Sequence, residues 1–215
     1  MWNRERHAGQ REKWCDLDDN QWEINKVTYK TPDYMLASAQ DYRPGQEGFQ
    51  QHIWQATLGP DAVVFVNHPV TVHEENDLRP NFWSGNGILP RVAQWQDTLI
   101  GITNLPADSW MGWTHAYFPV AAFDEFEMRD QWAFGRKGDG YIALTAANGL
   151  RLLERGATAY REIRSPGLHN VWLCQMGRRA EDGDFASFMQ AVIAHPLHFD
   201  DLAVRLQNIR GEELT

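Results

Sequence analysis

The sequence lacks several features that would assign a function directly. It has two cysteines, Cys15 and Cys174, which lie far apart and fit no metal-ligand spacing. No apolar run approaches the roughly 18–20 residues that a membrane-spanning helix needs. The charged start has no apolar core, so it is not a secretory signal, and cytoplasm is the default localisation. The formal net charge of −9 argues against nucleic acid as a partner.

Known catalytic motifs are missing as well. The eight histidines form no HExxH pattern, and no G-x-S-x-G elbow occurs. His68 and His73, next to Glu74 and Glu75, form a loose cluster that could ligate a divalent metal. A solvated loop is the favoured interpretation of that cluster, so we predict no metal and no other cofactor.

What the sequence does contain is a series of short strand patterns. A hydrophobic fraction of 43% supports a packed core. The segment "HIWQATL" is joined by Gly59-Pro60-Asp61 to "AVVFV", whose continuous apolar run is typical of a strand buried on both faces. Further strand patterns follow between residues 91 and 177 at intervals of about 8–12 residues. This spacing predicts an all-β fold, an antiparallel β-sandwich of the supersandwich type.

One helix and the domain limits complete the fold prediction. Residues 184–195 have a helical apolar period, with Asp184 as the N-cap and Pro196 as the stop. Residues 1–25 are predicted to be a polar N-terminal arm, and 26–215 a single β-sandwich domain. A strand pattern after the helix needs a partner, and the sequence ends soon after it. This arrangement suits a domain truncated at its C-terminus.

Polar residues in aromatic surroundings are the best site candidates. The loop "RPNFWSGNG" contains Arg79, Asn81, Trp83 and Asn86, and the strand "WTHAYFP" places His115 and Tyr117 on one face. Aromatic rings suit the faces of sugar rings, and Asn, Arg and His suit hydroxyl and carboxylate groups. The same mixture also suits a loop that packs back on its own sheet.

The stretch "GFQQHIWQATLGPDAVVFVNHP" resembles the start of the β-sandwich region in heparinase II/III-like polysaccharide lyases. His52 holds the family's histidine position, and Pro69 follows close to the family's spacing. His68 stands where the family commonly has Asp, and Ile53-Trp54 replaces a common Ala-Asp. The later segments "RPNFWSGNGILPRVAQW" and "RKGDGYIALTAANGL" look like a divergent branch of the same group, over about residues 30–180.

The resemblance implies a function and a partner. Such lyases combine a helical toroid domain, which supplies the tyrosine base, with a sandwich that supplies one histidine. The chain would then be the sandwich part of a lyase that cleaves acidic (uronate) polysaccharide by β-elimination, and it would be inactive alone. His52 would be the catalytic histidine that helps to bind the substrate carboxylate. The expected partners are the polysaccharide and either the missing toroid domain or a second copy. The alternative is a non-catalytic β-sandwich that binds carbohydrate or packs against a partner domain.

The loop 79–87 and the strand 114–119 are predicted to leave an apolar, aromatic face exposed. The residues that form this predicted face are Phe82, Trp83, Trp113 and Tyr117, with His52 and His115 nearby.

Overall fold

A computed structural model describes residues 10–17, 23–40, 42–75 and 79–215. It is an all-β structure with two large antiparallel sheets, as predicted. The first sheet has eight strands, in the spatial order β1 (Gln10–Leu17), β2 (Glu23–Lys30), β3 (Met35–Gln40), β5 (Trp54–Thr57), β6 (Val63–Asn67), β10 (Trp113–Tyr117), β15 (Glu162–Pro166) and β14 (Arg151–Leu152).

The second sheet has six strands and covers one face of the first. Its spatial order is β11 (Glu125–Arg129), β12 (Trp132–Lys137), β13 (Gly140–Ala146), β16 (His169–Arg178), β9 (Thr98–Asn104) and β8 (Arg91–Trp95). The main core lies between the two sheets. Val64, Val66 and Ala116 of the first sheet point into it, as do Ile142 and Trp172 of the second.

A third layer covers the other face of the six-stranded sheet. It consists of α1 (Arg179–Asp182), α2 (Phe185–Ala194) and a small sheet of β17 (Leu197–Asp200), β18 (Ala203–Gln207) and β19 (Glu213–Leu214). Phe188 and Met189 of α2 pack in a second core with Tyr141 and Leu173. Both faces of β13 are therefore covered, and all seven of its residues are buried.

The predicted helix is confirmed. The Asp184 carboxylate accepts a hydrogen bond from the Ser187 backbone N–H at 2.8 Å, which is the expected N-cap contact. No helix in the described part of the chain is long and apolar enough to cross a membrane.

The predicted hairpin on both sides of Gly59-Pro60-Asp61 is also confirmed, because β5 and β6 pair antiparallel. Two other expectations are wrong. The predicted loop 79–87 is not all loop, since it runs into β7 (Asn86–Ile88), which pairs with β4 (Glu47–Phe49). The strand after the helix, β18, does not lack a partner, since it pairs with β17 and β19.

The predicted N-terminal arm is described in part. Gln10–Leu17 forms β1, which pairs antiparallel with β2. Residues 1–9 and 18–22 of the arm lie outside the described residues.

Candidate functional site

The predicted site residues gather on the outer face of the eight-stranded sheet, which points away from the main core. On β10, Ala116 faces the core, so the alternation of the strand turns His115 and Tyr117 outward. The register places Tyr117 opposite Phe65 on one side and Glu162 on the other. The expectation that His115 and Tyr117 share one face is therefore confirmed.

The loop 79–87 folds over this outer face and is held by its own amides. Asn81 accepts hydrogen bonds from the backbone N–H groups of Trp83 and Ser84, at 3.2 and 2.9 Å. Asn86 accepts from the His68 N–H and donates to the Gln51 carbonyl, at 3.0 and 3.1 Å. Both predicted ligand-binding asparagines thus shape the loop itself.

Gly85 allows the loop to lie this close to the neighbouring chain. Its φ of +96° is in the left-handed region, and a Cβ atom there would overlap the Phe49 carbonyl oxygen. Asn67 of β6 adds an anchor by donating to the Phe82 and Gly85 carbonyls at 3.1 and 2.7 Å. Hydrogen bonds from the Asn67 side chain to two loop carbonyls therefore join the loop to the sheet and fix the loop's aromatic residues.

Four rings stack in two pairs under and beside the loop. Trp83 lies parallel to His115, with 4.4 Å between ring centroids and an interplanar angle of 8°. His52 stacks on Phe65 at 3.8 Å and 19°. Tyr117 contacts both pairs, since it stacks on Phe65 at 5.3 Å and meets Trp83 edge to face at 5.2 Å. His52, Trp83 and Tyr117 are half-buried, and we call these three residues the aromatic face.

Part of the predicted exposed surface is instead core. Phe82 is 1% exposed and His115 is 0% exposed, because the loop packs back on its own sheet. Exposure of Phe82 was therefore predicted wrongly, and His115, which was expected near the exposed face, is buried as well. Trp113, like the aromatic face, is half-buried, and Arg79 is exposed at the start of the loop.

His52 keeps one ring nitrogen available. Its Nε2 lies 2.6 Å from the Trp83 carbonyl oxygen, which is an acceptor, so Nε2 carries the proton. Nδ1 has no hydrogen-bond partner within the described ranges, and it is not among the buried unpaired atoms. Burial lowers the pKa of His52, against the raising effect of the Trp83 carbonyl. The ring is therefore neutral at pH 7, with Nδ1 as a hydrogen-bond acceptor.

A buried charge network lies beneath the aromatic face. The Glu162 carboxylate is 0% exposed and accepts from Arg164 Nε at 2.5 Å, His115 Nδ1 at 3.0 Å and the Thr158 hydroxyl at 2.6 Å. The second nitrogen of His115 faces the Phe82 carbonyl at 2.9 Å.

Two effects oppose each other at His115. Two acceptor oxygens favour a charged ring, but burial disfavours the charge and lowers the pKa of His115. A neutral ring can donate to only one of these two oxygens, whereas a charged ring can donate to both.

A second network fixes Trp83. Its indole N–H donates to Glu74 Oε2 at 2.9 Å, and Glu74 Oε1 accepts from Arg161 at 2.8 Å. The ring is thus held on one face by His115 and at its edge by a carboxylate. This arrangement gives the aromatic face a fixed geometry.

The loose histidine cluster does not make a metal site. His68 Nδ1 accepts the Ile88 backbone N–H at 3.2 Å, and Nε2 faces the Met111 carbonyl at 3.0 Å, so both nitrogens are occupied. His73 is exposed, five positions further along the chain. No group of three or more potential ligands occurs in the parts of the chain that the structure describes.

Three residues that build the site were not among the predicted ones: Phe65, Glu162 and Arg164. Alternation in "REIRS" places Glu162 and Arg164 on one face and Ile163 on the other, and Ile163 is in the main core. That pattern could have marked a charged pair on the outer face. The contact between Glu162 and His115, which lie 47 residues apart, depends on strand pairing.

Comparison of the chain with protein-family models, with curated proteins and with solved structures gives no match.

Proposed function

We propose that this chain is a non-catalytic β-sandwich module that binds carbohydrate at the aromatic face. The observation that carries the proposal is the set of three half-buried rings, His52, Trp83 and Tyr117, fixed by stacking and hydrogen bonds. Rigid aromatic side chains with a polar edge suit ligands that have an apolar face and polar rims, as sugar rings do.

The protonation state of His52 favours a hydroxyl ligand. A neutral ring with Nε2–H donated to Trp83 leaves Nδ1 to accept one hydrogen bond. A sugar hydroxyl supplies that donor, whereas a carboxylate would need a protonated ring. The geometry therefore supports sugar binding better than neutralisation of a uronate by His52.

The second candidate is the sandwich part of a heparinase II/III-like lyase. It is favoured by the position of His52, whose Nε2–H is held by the Trp83 carbonyl and whose Nδ1 has no partner among the described residues. The described residues contain α2 with ten residues, the one-turn α1 and a short 3-10 helix at Val120–Ala122, and these do not make a toroid. In this candidate the base would come from another domain. Incubation of the isolated chain with heparin or alginate should then give no rise in the ultraviolet absorbance of unsaturated uronate, and a clear rise would contradict both proposals.

The binding proposal is tested by titrating the ¹⁵N-labelled chain with a panel of oligosaccharides while following the Trp83 indole N–H signal. The test variant is His52→Phe, which keeps a ring on Phe65 and removes both Nδ1 and the Nε2–H that donates to the Trp83 carbonyl. We expect it to weaken sugar binding by about tenfold, the effect of one lost polar contact of about 1.4 kcal/mol.

The matched control is Trp95→Ala, which removes a ring that is 40% exposed on β8 of the other sheet. Trp95→Ala should leave sugar binding unchanged. If no oligosaccharide shifts the Trp83 signal, or if both variants lose binding equally, the proposal is wrong. A concentration-dependent sedimentation coefficient that His52→Phe abolishes would assign the face to self-association instead.

A further inference from the structure

A groove of about 340 Å³ lies at the edge of the eight-stranded sheet, beyond the aromatic face. It is lined by Trp113, Asn148, Gly149, Leu150, Arg151, Arg164 and Pro166. A second groove of about 350 Å³ is lined by Arg151, Leu152, Leu153, Glu154 and Arg155. Arg151 lines both, so the two grooves meet at this residue.

Two arginines face each other across neighbouring strands in this groove. Arg151 of β14 and Arg164 of β15 are directly opposite in the antiparallel register. Like charges at directly opposed positions destabilise a sheet. Such a pair therefore needs negative charge close by.

Only one of the two arginines has that charge. Arg164 pairs with buried Glu162, whereas Arg151 and Arg155 have no ion pair or hydrogen bond within the described ranges. Glu154 is the one acid among the residues that line the two grooves. The chain as a whole carries a net charge of −9, so a surplus of arginine here runs against its overall composition.

The orientation of the Arg164 guanidinium is fixed by its neighbours. It lies 4.0 Å from the centre of the Trp113 ring, and its Nε and Nη2 donate to Glu162 at 2.5 and 3.3 Å. Its Nη1 has no hydrogen-bond partner among the residues that the structure describes, and the side chain is 33% exposed. A guanidinium whose plane is already fixed loses little freedom when it donates to an anion.

We propose that this groove binds an oxyanion carried on a small ring: a carboxylate, a sulfate ester or a phosphate ester. Arg164 and Arg151 donate to the anion, and Trp113 and Leu150 contact the ring. The volume falls at the lower end of small-molecule sites, which suits one sugar-sized group. The site uses other residues than the aromatic face, so it does not rest on the function proposed above.

The test is a titration of the ¹⁵N-labelled chain, at constant ionic strength, with glucose, glucuronate, glucose 6-sulfate and glucose 6-phosphate. The signals followed are the Trp113 indole N–H and the Arg164 Nε–H. At least one anionic sugar should shift both signals in a saturable way, and glucose should not. The anionic sugar that binds most tightly identifies the source of the oxyanion.

The test variant is Arg151→Gln, because Arg151 is exposed and unpaired in the described structure while Arg164 supports the buried Glu162. It should weaken binding of the anionic sugar by about tenfold, as expected for one charge-assisted hydrogen bond. The matched control is Arg205→Gln on β18, which removes the same charge from an exposed position in the small sheet.

The proposal is overturned if no anionic sugar shifts the Trp113 signal. It is also overturned if Arg151→Gln and Arg205→Gln weaken binding equally, since the effect would then be one of net charge. His52→Phe should leave binding in the groove intact. Sugar binding at the aromatic face and anion binding in the groove are thereby tested separately.

Discussion

Replacing Glu162 with glutamine tests whether one buried carboxylate holds the outer face together. Glutamine keeps an acceptor oxygen, but it places an NH2 group where the second carboxylate oxygen receives hydrogen bonds. Arg164, His115 and Thr158 would then compete for one acceptor. Removing one partner of a buried ion pair typically destabilises a protein by about 3–5 kcal/mol. Arg164 is 33% exposed and can be solvated, so we expect the lower end of that range or less.

The pKa of Glu162 gives an independent magnitude. Burial acts to raise it, but the hydrogen bonds from His115, Arg164 and Thr158 outweigh burial and lower it from 4.5 to about 2. That fall corresponds to about 3 kcal/mol of stabilisation of the ionised form. Part of it counts a charge on His115, which burial disfavours. We therefore expect Glu162→Gln to reduce the free energy of unfolding by about 2–3 kcal/mol at pH 7.

The pH dependence has a definite sign. Because the pKa of Glu162 is lower in the folded state than in the unfolded state, the carboxylate contributes fully above about pH 5. The contribution is lost as the pH falls from about 4.5 towards 2. The difference in stability between the wild type and Glu162→Gln should therefore shrink by about 2 kcal/mol between pH 7 and pH 3.

Urea unfolding followed by far-UV circular dichroism measures this difference at both pH values. Glu127→Gln is the matched control, since Glu127 is exposed on edge strand β11. The control should change stability by less than about 0.5 kcal/mol. A Glu162→Gln cost below about 1 kcal/mol at pH 7, or a cost that does not change with pH, would refute the role of the carboxylate.

Two further substitutions test the packing of the loop and of the third layer. Trp83→Ser should reduce the free energy of unfolding by about 2 kcal/mol in the same urea assay, because the half-buried ring stacks on His115. Unchanged stability would mean that the loop does not pack on the sheet as described. Gly177→Ala should cost about 1–3 kcal/mol, because its Cβ atom would lie 2.5 Å from the Phe188 ring. Gly112→Ala is its control, since the nearest atom there is a Leu168 methyl at 3.6 Å, and equal effects at both glycines would contradict the close approach of α2.

Local signals in the sequence were sufficient for the short-range parts of the structure. The helix at Phe185–Ala194 follows from its apolar period, its Asp184 cap and Pro196. The β5–β6 hairpin follows from the turn residues between its strands. Each of these features involves residues within about 15 positions of one another, so no long-range pairing has to be known.

The third layer was not predicted, because its partners are far apart in sequence. The run "GYIALTA" in β13 reads as a buried strand, but sequence alone does not say what covers each face. One face meets the first sheet through Ile142 and Leu144, and the other meets α2 through Tyr141 and Ala143. The helix and the sheet that supply this cover are distant in the chain, and their docking depends on shape.

The site shows the same division between local pattern and tertiary structure. By itself the sequence determined that His115 and Tyr117 share a face, because side chains alternate along a strand. The continuous apolar run of "AVVFV" indicated a strand covered on both faces, and its residues are buried except for half-buried Val63. Tertiary structure decided that Glu162 lies against His115, since a shift of one residue in the β10–β15 register would turn it to the core. It also decided that the loop 79–87 covers His115 and that His52 covers Phe65. Only the folded chain brings the Asn67 amide to the carbonyls of Phe82 and Gly85, which holds the loop in place.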